Sequence, residues 1–90
     1  MNIKVLPSAL RHGISTAEIL FAWTHLTVCI ERDGNDDPWR YLAIGVLPNG
    51  NFVEMIAFQQ NSGVWCVFHA MTPPARKFLN EINQQKRRLK

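Results

Sequence analysis

The sequence has few of the features that mark membrane proteins, secreted proteins or metal-binding proteins. No apolar run approaches the roughly 20 residues that a transmembrane helix needs, and the first residues lack the apolar core and cleavage site of a signal peptide. We therefore expect a cytoplasmic protein with no membrane partner. Two cysteines, Cys29 and Cys66, are too few for a disulfide framework or a zinc site, and we interpret both as buried and reduced.

Motifs for nucleophilic or phosphate chemistry are missing as well. The chain has no Gly-rich phosphate loop, no G-x-S-x-G and no H-E-x-x-H. Its three histidines are scattered and have no acidic neighbour at regular spacing, so the pattern does not predict a metal site. We expect no metal and no cofactor. If the protein is an enzyme, acid–base chemistry with cationic stabilisation of phosphate is the expected type of catalysis.

Positive charge is concentrated at the C-terminus. Residues 1–85 contain six Lys or Arg and seven Asp or Glu, whereas the last five residues add Lys86, Arg87, Arg88 and Lys90. Such a tail favours a polyanion such as RNA or DNA through counterion release, and the alternative is a solvated helix end whose cations complement the helix dipole. We divide the chain into a single domain, residues 1–85, and a basic tail, residues 86–90.

Hydrophobic patterning predicts an α+β domain with helices on one face of a sheet. Two short N-terminal helices are expected, one over residues 7–13 that ends at Gly13 and one over Thr16 to Thr24 that begins with a capping box, Ser15 to Glu18. Short connections make the following four-stranded sheet mainly antiparallel, with strands at 26–32, 40–47, 52–59 and 64–71. A C-terminal helix is predicted to start at Thr72-Pro73 and to fray after about Gln85.

The hairpin turns predict a candidate acid–base pair. A type I′ turn at Asn49-Gly50 places Val46 opposite Val53, and a loop of even length at residues 60–63 then places Glu54 opposite His69. We expect these two side chains on one face of the sheet within hydrogen-bond distance. A carboxylate beside an imidazole is suited to proton transfer near neutral pH. The alternative is a hydrogen-bonded cross-strand pair without chemistry.

Aromatic side chains on the last strand are candidates for stacking on RNA bases. Alternation along a strand directs one of Trp65 and Phe68 to the core, and we expect this to be Phe68, which leaves Trp65 open. His25, at the end of the second helix, is interpreted as structural or exposed.

Three groups of residues occur in a fixed order over most of the chain. They are Leu10-Arg11-His12-Gly13-Ile14-Ser15 with Glu18, then Leu42-Ala43-Ile44-Gly45 with the strand 53–58, then Val67-Phe68-His69-Ala70-Met71 with Ala75-Arg76-Lys77. In order and spacing they resemble the K-H-G-[VI]-[ST]-x-x-E opening, the A-I-G…G…V-V-F core and the I-S-A-R…A-[ST]-R-[RK]-E closing strand and helix of the BrnT-like toxins. These are toxins of bacterial type II toxin–antitoxin modules and form a branch of the RelE-like ribonuclease fold.

The resemblance implies a RelE-like fold, cleavage of RNA without a metal, and neutralisation by a co-encoded antitoxin that binds DNA. A homodimer within a toxin–antitoxin complex is compatible with it. Position by position, His12 matches the family's histidine, and Arg76 and Lys77 match the basic start of its last helix. Met71 stands where the family has an arginine, and His69 stands where it has a serine.

Two hypotheses follow for the function. The first is a toxin-like endoribonuclease that acts on mRNA, with Glu54 and His69 in proton transfer and Arg76 stabilising charge on the phosphate. The residues expected to bind nucleic acid are Arg11, His12, Arg40, Lys77, Lys86, Arg87 and Arg88. The second hypothesis is a non-catalytic module of the same fold that binds nucleic acid or protein, because Met71 puts an apolar side chain at the arginine position. A plain structural or interaction protein is the third.

Overall fold

A five-stranded mixed sheet with one helix on each face makes up the α+β fold of the described chain. The computed structural model describes residues 2–32 and 34–88, with the backbone alone for Arg88. The elements are β1 (Ile3–Val5), a 3-10 turn (Pro7–Leu10), α1 (Thr16–Trp23), β2 (Leu26–Glu31), β3 (Arg40–Val46), β4 (Phe52–Gln59), β5 (Trp65–Met71) and α2 (Arg76–Arg88). The strand order is β1-β5-β4-β3-β2.

The N-terminal segment differs from the prediction of two helices. Residues Ile3–Val5 form an edge strand parallel to β5, with Ile3 beside Trp65 and Val5 beside Val67. Three residues are too few to show a strand period, and their partners lie some sixty positions along the chain, so local patterning does not reveal this strand. The first predicted helix is a single 3-10 turn, after which Gly13 adopts a φ of +80°.

Helix α1 begins with the predicted capping box. The Ser15 hydroxyl accepts from the Glu18 amide and the Glu18 carboxylate accepts from the Ser15 amide. The Ser15 amide, followed by its hydroxyl, holds the pKa of the Glu18 carboxyl below its ordinary value, because both hydrogen bonds favour the charged form. Ile19, Ala22 and Trp23 are the residues that α1 buries against the sheet.

The β3–β4 hairpin has a three-residue loop, so the predicted type I′ turn is wrong. Leu47 N–H donates to the Asn51 carbonyl over 2.8 Å, and Gly50 alone in the loop has a positive φ, +88°. The fixed φ of Pro48 suits the second position of a type I turn, which a left-handed glycine then closes. Val53 therefore lies opposite Gly45 and not opposite Val46.

The β4–β5 hairpin also has a three-residue loop, where an even number was expected. Gln60 N–H donates to the Val64 carbonyl over 2.8 Å, and Gly63 has a φ of +93°. Further along, the register shifts by one residue, because Val67 lies opposite Ala57 and His69 lies opposite Ile56. Phe68 is therefore the extra residue of a β-bulge.

Helix α2 begins later and ends later than predicted. Thr72 does not cap it; its hydroxyl donates to the Phe52 carbonyl over 2.6 Å, and the first helical residue is Arg76. Consecutive prolines at 73 and 74 disfavour helical backbone in the residue before each of them, which delays the start. The helix continues through Lys86 to Arg88, since Gln, Lys and Arg are good helix formers. Leu89 and Lys90 lie outside the described residues.

Two apolar clusters lie on opposite faces of the sheet. We call the side covered by α1 the first face; its buried cluster is Ala9, Ile14, Ile19, Ala22, Trp23, Ala43, Leu47, Val53, Met55, Ala57, Val67 and Ala70. The side contacted by α2 is the second face; its buried cluster is Leu42, Ile44, Phe78 and Ile82. Because Phe78 and Ile82 pack mainly on β2 and β3, α2 leaves the β4–β5 side of the second face more open.

The two cysteines differ from each other in exposure. Both are free thiols; Cys66 is buried, as expected, but Cys29 on the edge strand β2 is exposed, which corrects the prediction that both are buried. An edge strand with one solvent-facing side turns alternate residues outward. Among the described residues, no helix is long and apolar enough to cross a membrane.

Candidate functional site

Glu54 and His69 form a hydrogen-bonded pair on the second face. His69 Nε2 lies 2.8 Å from Glu54 Oε2, as predicted from the sequence. The Glu54 side chain is 6% exposed and that of His69 is 27% exposed. The carboxylate is thus held away from water while the imidazole stays accessible, an arrangement suited to proton transfer with a bound substrate.

The β-bulge at Phe68 brings the pair together. With two three-residue loops and an unbroken ladder, Glu54 would lie opposite Ala70 and the His69 side chain would point to the first face. The bulge instead places His69 opposite Ile56, two residues from Glu54 on the same side of β4. The predicted direct pairing of Glu54 with His69 is therefore wrong in register, although the predicted shared face and contact are confirmed.

Glu54 also joins the pair to helix α2. Its second oxygen, Oε1, accepts the Ala75 backbone N–H over 2.7 Å, just before the first helical residue. The first amides of a helix have no partner within the helix, and their partial positive charge favours a carboxylate. A buried carboxylate needs such partners, and both Glu54 oxygens have one. The position of α2 and the position of the His69 ring therefore depend on one side chain.

A second imidazole lies next to His69. The His12 and His69 ring centroids are 5.6 Å apart, with an interplanar angle of 78°. The 3-10 turn holds His12 in place against β5, because the Ser8 hydroxyl donates to the Phe68 carbonyl over 2.6 Å. The structure thus brings together two histidines that are 57 positions apart in the sequence.

Arg40 lies over two aromatic rings beside the histidines. Its guanidinium carbon is 5.3 Å from the centroid of the Phe58 ring and 5.1 Å from that of the Phe68 ring. The two ring centroids are 5.9 Å apart. We call these three residues the aromatic cluster. Each contact is within the distance of a cation–π interaction, so both rings restrain the guanidinium.

Trp65 and Phe68 lie on opposite faces, as alternation predicts, but it is Trp65 and not Phe68 that packs against a buried cluster. Trp65 packs against the first-face cluster, with its ring 5.4 Å from Trp23 and 4.8 Å from Tyr41. Phe68 belongs to neither buried cluster and is half-buried on the second face. Ordinary alternation after Val67 directs Phe68 to the second face, and the bulge then places His69 on that face as well.

The other predicted cations are exposed side chains on α2 and beside the 3-10 turn. Arg76 and Lys77 are exposed in the first turn of α2, where they line a shallow depression with Asn80, Glu81 and Gln84. Arg11 is exposed next to His12, and Lys86 and Arg87 are exposed at the far end of α2. The side chain of Arg88 lies outside the described residues. Of the predicted phosphate-binding residues, His12 contacts the His69 ring, Arg40 contacts the ring of Phe68 next to His69, and Arg76 directly follows the amide that Glu54 binds.

Two further residues have clear positions. Met71, at the arginine position of the resemblance, is half-buried and is the strand partner of Glu54. His25 is exposed, as expected; its Nδ1 lies 2.8 Å from the Phe21 carbonyl, and its ring stacks on Phe21 at 4.0 Å. His25 is thus engaged within its own turn, away from the other two histidines.

Phe58 and Ser8 are site residues that the sequence reasoning missed. Phe58 could have been predicted to lie on the same face as Glu54, because residues 54, 56 and 58 point to one side of a strand. Ser8 had none, since its contact with Phe68 depends on how the 3-10 turn packs against β5. Within residues 2–32 and 34–88, no three His, Cys, Asp or Glu side chains are grouped so that they could hold a metal ion.

No family model, curated protein or solved structure matches the chain.

Proposed function

We propose that this protein is a metal-independent endoribonuclease that cleaves single-stranded RNA through His69, His12 and Glu54. One observation carries the proposal: an accessible imidazole is oriented by a buried carboxylate and has a second imidazole at its edge. Two such rings can serve one phosphodiester, one as base and one as acid. The aromatic cluster supplies a fixed cation, Arg40, on the same face.

His69 is the proposed general base. Glu54 holds Nε2, and a carboxylate at that nitrogen favours the tautomer with the proton on Nε2. The lone pair of Nδ1 is then free to accept the proton of a ribose 2′-hydroxyl. Glu54 does not touch the substrate in this scheme; it is a positioning residue that selects the tautomer and orientation of the ring.

His12 is the proposed general acid. As the 2′-oxygen forms its bond to phosphorus, the bond from phosphorus to the 5′-oxygen breaks, and His12 donates a proton to that leaving oxygen. The products are a 2′,3′-cyclic phosphate and a 5′-hydroxyl. Arg40 stabilises the negative charge that develops on the phosphate oxygens, because its guanidinium is already fixed in place by two rings.

The resemblance to BrnT-like toxins gives this activity a biological setting. It supports a RelE-like toxin that acts on mRNA in the cytoplasm and is neutralised by a co-encoded, DNA-binding antitoxin. Arg76, Lys77, Arg11 and the basic end of α2 then serve as contacts to the RNA backbone outside the reacting phosphate. Co-expression with the open reading frame adjoining the gene tests the antitoxin part of the proposal, since that partner should relieve growth arrest.

A non-catalytic binding module is the second candidate. The observation that favours it is Met71, an apolar side chain opposite Glu54 where the resemblance predicts an arginine. In that case the same face would bind RNA and the Glu54–His69 contact would only stabilise the strand pair.

The test is an RNA cleavage assay with purified protein in the presence of a metal chelator. End-labelled single-stranded RNA should be cut to products that carry a cyclic phosphate. We expect His69→Ala to lower the rate by roughly 10²- to 10⁴-fold, the usual contribution of a general acid or base. His12→Ala should cause a loss in the same range.

His25→Ala is the matched control, because His25 is an exposed imidazole in the same chain that lies in the turn after α1. Its activity should equal that of the wild type. Folded wild-type protein that binds RNA but never cuts it would replace the enzyme proposal with the binding module. Equal activity of the His69→Ala variant and the wild type would remove His69 from the mechanism.

A further inference from the structure

We infer that the aromatic cluster is a subsite for one unpaired base of single-stranded RNA, next to the reacting phosphate. The inference rests on the proposed function, because it names the part of the substrate that is recognised beside His69. The cluster consists of Arg40, Phe58 and Phe68; none of them transfers a proton, and Arg40 is also the residue that stabilises charge on the phosphate in the proposed function.

The form of the cluster matches the chemistry of a base. Unpaired bases in RNA-binding proteins stack on aromatic rings or on the plane of an arginine guanidinium. Here both are present, and the Arg40 guanidinium is held by the two rings and by a 3.1 Å hydrogen bond from Nη1 to the Pro38 carbonyl. A fixed, planar cation loses little freedom when a base stacks on it, which lysine at this position would not offer.

The position of the cluster also fits a base near the histidines. Phe68 is adjacent to His69 in the chain, and the bulge directs both to the second face. Phe58 is two residues along β4 from Ile56, the strand partner of His69, a distance of roughly 7 Å. A nucleotide stacked at the cluster therefore has its own phosphate within reach of the His69 imidazole.

The neighbouring elements favour an unpaired strand as the ligand. In a duplex the bases are stacked on each other and their edges lie in grooves, so no base face is free for Arg40. On the second face, α2 packs mainly on β2 and β3, whereas the two rings of the cluster lie on β4 and β5. Single-stranded RNA, or an unpaired loop within a folded RNA, is thus the substrate class.

The test measures binding of RNA that cannot be cleaved. A fluorescent single-stranded oligonucleotide with 2′-O-methyl groups lacks the attacking hydroxyl, so binding is read independently of catalysis. We expect the double variant Arg40→Lys, Phe68→Leu, which keeps the charge and most of the apolar volume, to bind roughly 5- to 150-fold more weakly than the wild type. Binding to a duplex of the same sequence should be weak for both and unchanged by the substitutions.

Phe21→Leu is the matched control, since it removes an exposed phenyl ring on α1, on the opposite side of the sheet. Its affinity should equal that of the wild type, and circular dichroism should show that all variants are folded. Equal single-strand affinity of the double variant and the wild type would overturn the subsite, even if the protein cleaves RNA. Weakened binding by the double variant with no cleavage by the wild type would support the subsite and contradict the endoribonuclease proposal. No binding of single-stranded RNA by the wild type would overturn both.

Discussion

Glu54 is the residue on which most of the site depends. One carboxylate oxygen accepts from the Ala75 amide at the start of α2, and the other contacts His69 on β5. At 4% exposure, the residue has almost no contact with water, so each hydrogen bond replaces hydration that would otherwise be lost. The side chain thus links the start of a helix to an imidazole, and in the proposed function it selects the tautomer of that imidazole.

Replacing this charge tests the positioning role. Glu54→Gln keeps the size of the side chain, but its amide can donate to Nε2 and thereby move the imidazole proton to Nδ1. We expect the rate of RNA cleavage to fall roughly 10²- to 10⁴-fold, as for a triad aspartate changed to asparagine, with little loss of RNA affinity. Nitrogen-15 NMR of the His69 ring should report the change of tautomer, which a purely structural role would not produce.

The control for this variant is Glu81→Gln. Glu81 is a carboxylate on α2 that pairs with Arg32 at 2.7 Å, away from the histidines. It should lose no more than about 1 kcal/mol of stability and no activity, because its side chain is more than a quarter exposed. An unchanged His69 tautomer and rate in Glu54→Gln would show that Glu54 serves the fold alone.

For individual residues, the sequence predicted the contact between Glu54 and His69 but not the β-bulge that produces it. The pairing of Glu54 with His69 was derived from hairpin loops of even length, whereas both loops hold three residues. The extra residue of the β-bulge returns the His69 side chain to the face that carries Glu54, which the three-residue loops alone would not do. A bulge depends on how Phe68 and the edge of β5 pack against the 3-10 turn, which includes the Ser8 contact, and no local pattern in the strand encodes that.

Among the elements, α1 and β3 approach each other most closely at Gly45. A Cβ at Gly45 would lie 2.5 Å from the Ala22 carbonyl oxygen and 2.9 Å from the Met55 Cε. The helix backbone cannot move by this amount without displacing the buried side chains Ile19 and Trp23 from the first-face cluster. Close packing against α1 thus requires glycine at position 45, whether or not the residue has any part in catalysis.

We therefore expect Gly45→Ala to destabilise the fold by about 3 kcal/mol, at the upper end of the usual cost of overpacking a core. Urea unfolding followed by circular dichroism measures this free energy. The comparison is Gly50→Ala, where a Cβ would meet nothing within 4 Å but φ is +88°, and a loss of about 1 kcal/mol is expected from the backbone alone. A smaller loss for Gly45→Ala than for Gly50→Ala would contradict the close approach.

Helices and strands were predicted correctly where a local sequence pattern marks them. Strands β2, β3, β4 and β5 and helix α1 were predicted to within one or two residues, because alternation and a capping box are local. Strand β1 was missed since its three residues are stabilised by a parallel partner at the other end of the chain. The start of α2 was misplaced because the two prolines act against Thr72 as a cap.

Across the whole molecule, the candidate site lies at the N-terminal end of α2, and the basic residues Lys86 and Arg87 lie near its C-terminal end. Helix α2 runs from Arg76, one residue after the amide bound by Glu54, to Arg88. At 1.5 Å per residue, this length is about 18 Å. An RNA strand that contacts both ends of the helix must therefore span several nucleotides, with the reacting phosphate at one end and the basic residues at the other.

Removing residues 86–90 tests that extended contact. The deletion takes away Lys86, Arg87, Arg88 and Lys90 and leaves the buried Phe78 and Ile82 in place. The fold should persist, while affinity for single-stranded RNA should fall and the slope of its logarithm against that of salt concentration should decrease by up to about 2.8, or 0.7 per cation.

A full-length variant with glutamine at the same four positions keeps the length of the chain and should behave like the deletion. Fluorescence anisotropy at several salt concentrations gives the slope. An unchanged slope in both variants would mean that these cations are solvated and only complement the helix dipole.

The β-bulge at Phe68 affects how the aromatic cluster can evolve. Removing the single codon for Phe68 would restore a regular ladder, with His69 still opposite Ile56 and the first-face residues Trp65 and Val67 undisturbed. Phe68, one of the two rings that Arg40 lies over, is thus the extra residue of this ladder. Insertion or deletion of one codon can therefore add or remove the Phe68 ring beside His69. In a sequence alignment, such a change would appear as a one-residue gap, with no substitution at the neighbouring positions.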